Sequence, residues 1–82
     1  MKENYIPLNM LPMGCYGKVK ELVVEGPVRR RMMDLGLIID TVVEAIRKSP
    51  SGDPTAYQIR GAVIALREEE ASKIMIEPLS AI

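Results

Sequence analysis

The sequence predicts a mainly β fold: a closed or nearly closed barrel of about five short strands, with one or two short helices inserted between them. Three observations carry that expectation. The chain has 82 residues, enough for one domain spanning 1–82 and too few for two packed sheets. Its apolar residues fall in short, partly valine-rich runs bounded by glycine and proline, a strand signature more than a helical one. A sheet of this size that curls onto itself leaves no long exposed edge, which favours closure.

From Asn4 to Gly17 the chain is uncharged and holds two prolines and two glycines. It reads as an extended, turning segment that lays Ile6, Leu8, Met10, Leu11 and Met13 on the core. Lys18 to Glu25 is the first strand, with Val19, Leu22 and Val24 inward despite imperfect alternation. Gly26-Pro27 stops it and opens a helix, since proline suits the first helical position, and Val28, Met32 and Leu35 share one face at i, i+4, i+7. Gly36 supplies the helix stop.

The second strand covers Thr41 to Lys48 with Val42 inward, and Ser49-Pro50-Ser51-Gly52-Asp53-Pro54 is a turn. A third strand, Thr55 to Arg60, reverses at Gly61 into Ala62 to Leu66, an apolar run that suits a strand buried on both faces. Arg67 to Lys73 starts with acids and ends in lysine, the order a helix dipole favours, so one or two helical turns are expected there. Ile74 to Glu77 is the last strand, before Pro78 and a tail from Leu79 to Ile82. The expected core is Val19, Leu22, Val24, Val42, Ile59, Ile64, Leu66 and Ile76, closed at one end by Met32 and Leu35.

Composition narrows the chemistry. With no histidine and one cysteine, the chain cannot build a His/Cys zinc site, a Ser-His-Asp triad or a Cys-His pair and has no disulfide framework, and it reads as a non-enzyme of a reducing, cytoplasmic compartment. Eleven basic residues balance eleven acidic ones, which argues against a nucleic acid or an anionic membrane as partner. Met1 to Tyr5 has no leader pattern, and no run reaches the roughly 20 apolar residues of a membrane span. Gly14-Cys15-Tyr16-Gly17-Lys18 has two residues between its glycines and Val19 after the lysine, so it is not a phosphate loop.

Taken in order, Leu11-Pro12-Met13-Gly14, Gly17-Lys18-Val19, Arg30-Arg31-Met32-Met33-Asp34-Leu35-Gly36-Leu37, Gly52-Asp53-Pro54, Ile59-Arg60-Gly61, Ile64-Ala65-Leu66-Arg67, Glu70-Ala71 and Ile74 form a series. Over about residues 8 to 77 it resembles the FeoA family. The resemblance implies an SH3-like small β-barrel and a role as cytoplasmic accessory of ferrous iron transport. The implied partner is FeoB, a membrane transporter carrying its own GTPase domain, whose Fe(II) uptake the barrel would modulate. The same barrel also resembles the C-terminal domain of iron-dependent repressors, so an iron-sensing regulatory role is the alternative. One departure stands out: where the family usually has Pro-Gly, this chain has Ile39-Asp40.

No residue set fits a catalytic, cofactor or metal site. Glu68, Glu69 and Glu70 would point about 100° apart on a helix and serve its dipole, and Met10, Met13 and Cys15 read as core or adaptable contact surface. A weak Fe(II) contact has no ligands to support it. Arg29, Arg30 and Arg31 fit a solvated helix face, with Asp34 at i+4 from Arg30, or a grip on phosphate or an acidic partner, and the resemblance adds a structural role for Arg30-Arg31 such as clamping a turn carbonyl. Docking surfaces favour Arg and Met around an apolar centre. The expected partner surface is therefore the helix from Pro27 to Leu35 with the Leu37-Ile38-Ile39 loop, its exposed candidates being Arg29, Arg30, Met33 and Ile38.

Overall fold

A computed structural model describes residues 4–79, so the tail expected beyond Leu79 and the leader reading of Met1 to Glu3 fall outside the described residues. Six antiparallel strands form one sheet: β1 (Ile6–Pro7), β2 (Tyr16–Leu22), β3 (Val42–Lys48), β4 (Thr55–Ile59), β5 (Ala62–Leu66) and β6 (Ile74–Pro78). Two helices interrupt it, α1 (Pro27–Asp34) and α2 (Glu68–Ala71), and a 3-10 turn covers Leu8–Met10. The hydrogen-bonded order is β1-β6-β2-β3-β4-β5. The strand beyond the expected five is β1, two residues ending in proline, which no periodicity can announce.

Local chemistry explains the elements. Gly26 takes φ 73° and Pro27 follows at the first helical position of α1. At its other end Leu35 caps the helix, the Gly36 N–H donates to Met33 and the Leu37 N–H donates back to Met32. With Gly36 at φ 103° this is the Schellman arrangement, in which Met32 and Leu37 sit buried together in the core. Between β4 and β5 the turn consists of Arg60 and Gly61, both with positive φ (53° and 82°). That is the mirror-image turn whose twist suits a two-residue hairpin. At Gly17, β2 and β6 pair so closely that an added Cβ would lie 3.3 Å from the Cβ of Ile76 and collide with the end of its side chain.

The core contains Leu8, Leu11, Val19, Leu22, Met32, Leu37, Val43, Ala45, Tyr57, Ile59, Leu66, Ala71, Ile74 and Ile76. Val24, Leu35 and Ile64 pack against it half-buried. Val19 and Leu22 are three positions apart yet both inward, because the β2–β6 pairing slips between Val19 and Glu21. This bulge is the cause of the imperfect alternation in that run.

Several expectations are corrected. Val42 is 43% exposed, while its neighbour Val43 is fully buried: a strand's side chains alternate, and tertiary pairing of Val43 with Ile59 chose the other phase. The β5 strand is not covered on both faces, since it ends the sheet and exposes Ala62, Val63 and Ala65. Met10 and Met13 point outward, because the 3-10 turn and the turn at Pro12 bring only Leu8 and Leu11 inward. Val28 is exposed in the first turn of α1, where it borders the open groove between the two helices instead of the core.

Replacing Val43 by Ala is expected to cost at least about 1.5 kcal/mol in urea unfolding, the lower end for removing a buried valine. Val42→Ala should stay within about 0.5 kcal/mol, and equal losses at the two positions would contradict the register. Gly17→Ala should destabilise by about 1–3 kcal/mol through overpacking against Ile76, measured by the same unfolding curves.

Candidate functional site

The elements around α1 fix a face made of its outer side and the loop that follows it. Arg29 is half-buried rather than exposed, and its guanidinium donates to the carbonyl of Leu22 at 3.1 Å. It ties α1 to the end of β2 where the backbone leaves the sheet. Arg31 reaches across to Glu70 of α2 and forms an ion pair. Arg30 is exposed and forms none of the ion pairs among the described residues, so the expected Arg30–Asp34 partnership is absent there. Met33, Ile38 and Ile39 are all exposed. Leu37, expected in the docking loop, is instead buried as the apolar half of the helix stop.

The loop is held in this outward form by backbone and charge. Asp40 adopts φ 73°, a conformation glycine would take freely and aspartate tolerates better than most residues. Its N–H donates to Val19 at 2.6 Å, and the Thr41 N–H donates to Ile38 at 3.0 Å. Lys20 donates to the Asp40 carboxylate at 2.8 Å. That bond raises the Lys20 pKa and lowers that of Asp40. Ile39-Asp40, where the family usually has Pro-Gly, therefore keeps the turn, and Ile39 joins Ile38 on the surface.

Between the helices lies a shallow groove of about 200 Å³, lined by Val28, Arg31, Met32, Glu69, Glu70 and Lys73. Glu70 organises it. Its carboxylate accepts the Arg67 N–H at 3.0 Å, closing the start of α2, and also accepts Arg31. The backbone bond first, and Arg31 second, hold its pKa below the ordinary value of 4.5. A second, open groove of about 530 Å³ lies along Pro50, Pro54, Ala56 and Ala65.

The remaining candidates do not assemble. Glu70 turns its carboxylate to Arg31 and to the Arg67 N–H, and Glu68 engages Asp53 through its backbone N–H at 2.9 Å. Met10 and Met13 are exposed and Cys15 is half-buried. Among the described residues no three His, Cys, Asp or Glu side chains gather to hold a metal, and no helix is long and apolar enough to cross a membrane. Sequence reasoning missed the clamp made by Arg29 and the Arg31–Glu70 pair. The latter spans 39 positions and leaves no local signal.

A curled antiparallel sheet with two short helices, offering surface grooves and an apolar-basic helix face, defines the class: an SH3-like small β-barrel. The particular family follows from comparison with known proteins. The model of the FeoA domain matches residues 6–78, and the chain belongs to that family.

Among solved structures, a FeoA-like protein from Clostridium acetobutylicum is 36% identical, with a TM-score of 0.87 over 100% of this chain and 94% of that one. The FeoA of Stenotrophomonas maltophilia, solved with zinc and described as an SH3 domain protein, is 27% identical, with a TM-score of 0.72 over 85% of this chain and 87% of that one. A Fe(2+) transport protein A/FeoB fusion protein from Porphyromonas gingivalis is 27% identical over 89% of this chain, which spans only 9% of that relative's length. A manganese-dependent transcriptional repressor shares the fold alone, at 16% identity and a TM-score of 0.84 over 96% of this chain and 44% of that one.

Glu70 gives up its proton more readily in the folded chain than in the unfolded one, so it adds stability above about pH 4.5 and loses it as the pH falls through its depressed value. Glu70→Ala should lower the Tm at pH 7 by a few degrees, since a capping contact of about 1 kcal/mol moves a domain of this size by about 4–8 °C. The gap to the wild-type chain should narrow on acidification to pH 3. An unchanged gap in thermal melts at the two pH values would contradict this role.

Proposed function

We propose that this chain is a non-catalytic, cytoplasmic module of ferrous iron transport that docks on a FeoB-type membrane GTPase transporter and modulates its uptake of Fe(II). The observation that carries this reading is the Porphyromonas gingivalis relative, in which the transport protein A part and FeoB are one polypeptide. Fusion keeps two parts at high effective concentration, an arrangement that favours contact between them. Iron enters this scheme as the transporter's cargo and not as a group the barrel holds. The iron-sensing alternative rests on likeness to a repressor at 16% identity, which speaks for the fold and no more.

The docking surface we assign is Arg30, Met33 and Ile38, with Ile39 at its margin and Arg29 holding the helix beneath it. An apolar centre beside a guanidinium that forms none of the ion pairs among the described residues suits a partner face that offers an aliphatic pocket rimmed by carboxylates. The lock between Lys20 and Asp40 and the clamp from Arg29 hold this face in place before docking, so less ordering entropy is lost on contact.

A variant carrying Arg30→Glu, Met33→Ser and Ile38→Ser changes exposed side chains and should keep its Tm within a few degrees. In a pull-down with detergent-solubilised FeoB it should lose at least about tenfold in affinity, the equivalent of 1.4 kcal/mol. Full binding by a folded triple variant would remove this surface from the proposal.

A further inference from the structure

We infer that Arg60 is a docking residue: the turn between β4 and β5 forms the second half of the partner surface, and its guanidinium donates to a carboxylate of the FeoB-type transporter. This rests on the docking reading above and adds to it a residue from a different element. Among the described residues only Asp40 and Arg60, glycines apart, take a positive φ, of 73° and 53°. Aspartate tolerates that region through its short, locally bonding side chain, whereas an arginine there bears the steric cost without that return. The two-residue turn demands a positive φ at its first position, and glycine or asparagine would meet the demand at less cost. The fold therefore explains the backbone angle but not the arginine. Residues held in such conformations cluster at ligand-clamping and switch regions.

The turn stands against the docking loop. Ile59 pairs with Val43 in the β3–β4 ladder, so Arg60 lies at the end of the sheet where β3 begins and where the loop from Gly36 delivers the chain. A Cβ on Gly36 would lie 3.2 Å from Ile59 Cγ2 and 3.7 Å from Arg60 Cδ; the stem of Arg60 thus passes beside Gly36. That glycine is bonded to both halves of the apolar centre. Its N–H donates to Met33 at 3.0 Å, and its carbonyl accepts the Ile38 N–H at 2.9 Å. Asp40 closes the other end of the same loop, where its N–H donates to Val19.

Charge selects what this surface receives. Arg60 is exposed and forms none of the side-chain hydrogen bonds or ion pairs among the described residues. The same holds for Arg30 and for Asp34, the one acid of α1. Asp40 is already engaged by Lys20. Two unengaged guanidinium groups therefore stand against one unengaged carboxylate, beside the exposed Met33 and Ile38. The complement is a protein face whose carboxylates surround an aliphatic pocket. An arginine that strains its own turn and bonds to nothing in its own chain is accounted for by such a contact, and its stem along Gly36 orients the guanidinium beforehand.

The test is the affinity of detergent-solubilised FeoB for the purified chain, measured beside the Tm of each variant. Arg60→Asn and Arg60→Gly both suit the turn, so neither should lower the Tm, while each should weaken binding at least about fivefold. Arg60→Lys keeps the charge without the bidentate fork and should recover only part of that loss. Raising NaCl from about 50 mM to about 500 mM should shrink the gap between the wild-type chain and Arg60→Asn, because salt screens an exposed ion pair. Wild-type affinity in both the first two variants overturns the inference while docking through Arg30, Met33 and Ile38 stands. A fall in Tm in both also overturns it, since Arg60 would then serve packing beside Gly36, as does a gap that salt leaves unchanged. Absence of binding by the wild-type chain removes the docking reading and this inference with it.

Discussion

Everything in this fold leans on the passage of β6 between β1 and β2. The last strand carries Ile74 and Ile76 into the middle of the core, opposite Leu22, Val19 and Ile6. It is the sole sheet partner of β1 among the described residues, and with β3 one of the two partners of β2. Close approach is possible because Gly17 has no side chain where Ile76 crosses. The beginning and the end of the chain therefore become one surface, and such long-range pairing gains its stability only after a long loop has been closed.

The geometry of the helical face follows from that seam. The chain leaves β2 at Leu22, just where Val23 makes its last backbone bond to Lys73, in front of β6. Arg29 returns to the Leu22 carbonyl and Arg31 to Glu70, so α1 is tied once to the sheet and once to α2. Two of three successive arginines are thus occupied in holding the helix. The third, Arg30, is left to the surface with Met33 and Ile38.

That division of labour marks how far the candidate site was legible. The outward positions of Arg30 and Met33 follow from helical spacing around Met32, whereas that of Ile38 is set by the fold of an apolar loop and not by its residue type. Arg29 was placed on the wrong side of the division because its partner is a backbone carbonyl, and no residue type records where a carbonyl will point. Leu37 was misread for a related reason: in the loop it is one apolar residue among three, and the Schellman stop alone selects it for burial. Two of the tyrosines, Tyr16 and Tyr57, sit in strands, yet Tyr57 is buried and Tyr16 exposed, a difference of strand phase and not of composition.

The sequence by itself determined the kind of fold, the order of its main elements and the turns between them, because glycine and proline act through local backbone energetics that need no partner. It also determined, through one cysteine and no histidine, that no disulfide within the chain and no His/Cys zinc site within it could be built. Tertiary structure alone decided which of Val42 and Val43 faces inward, where β2 bulges, that a two-residue β1 joins the sheet and that apolar β5 ends it. These choices turn on pairing between residues far apart in the chain. A one-residue slip exchanges the two faces of a strand without altering a single local preference.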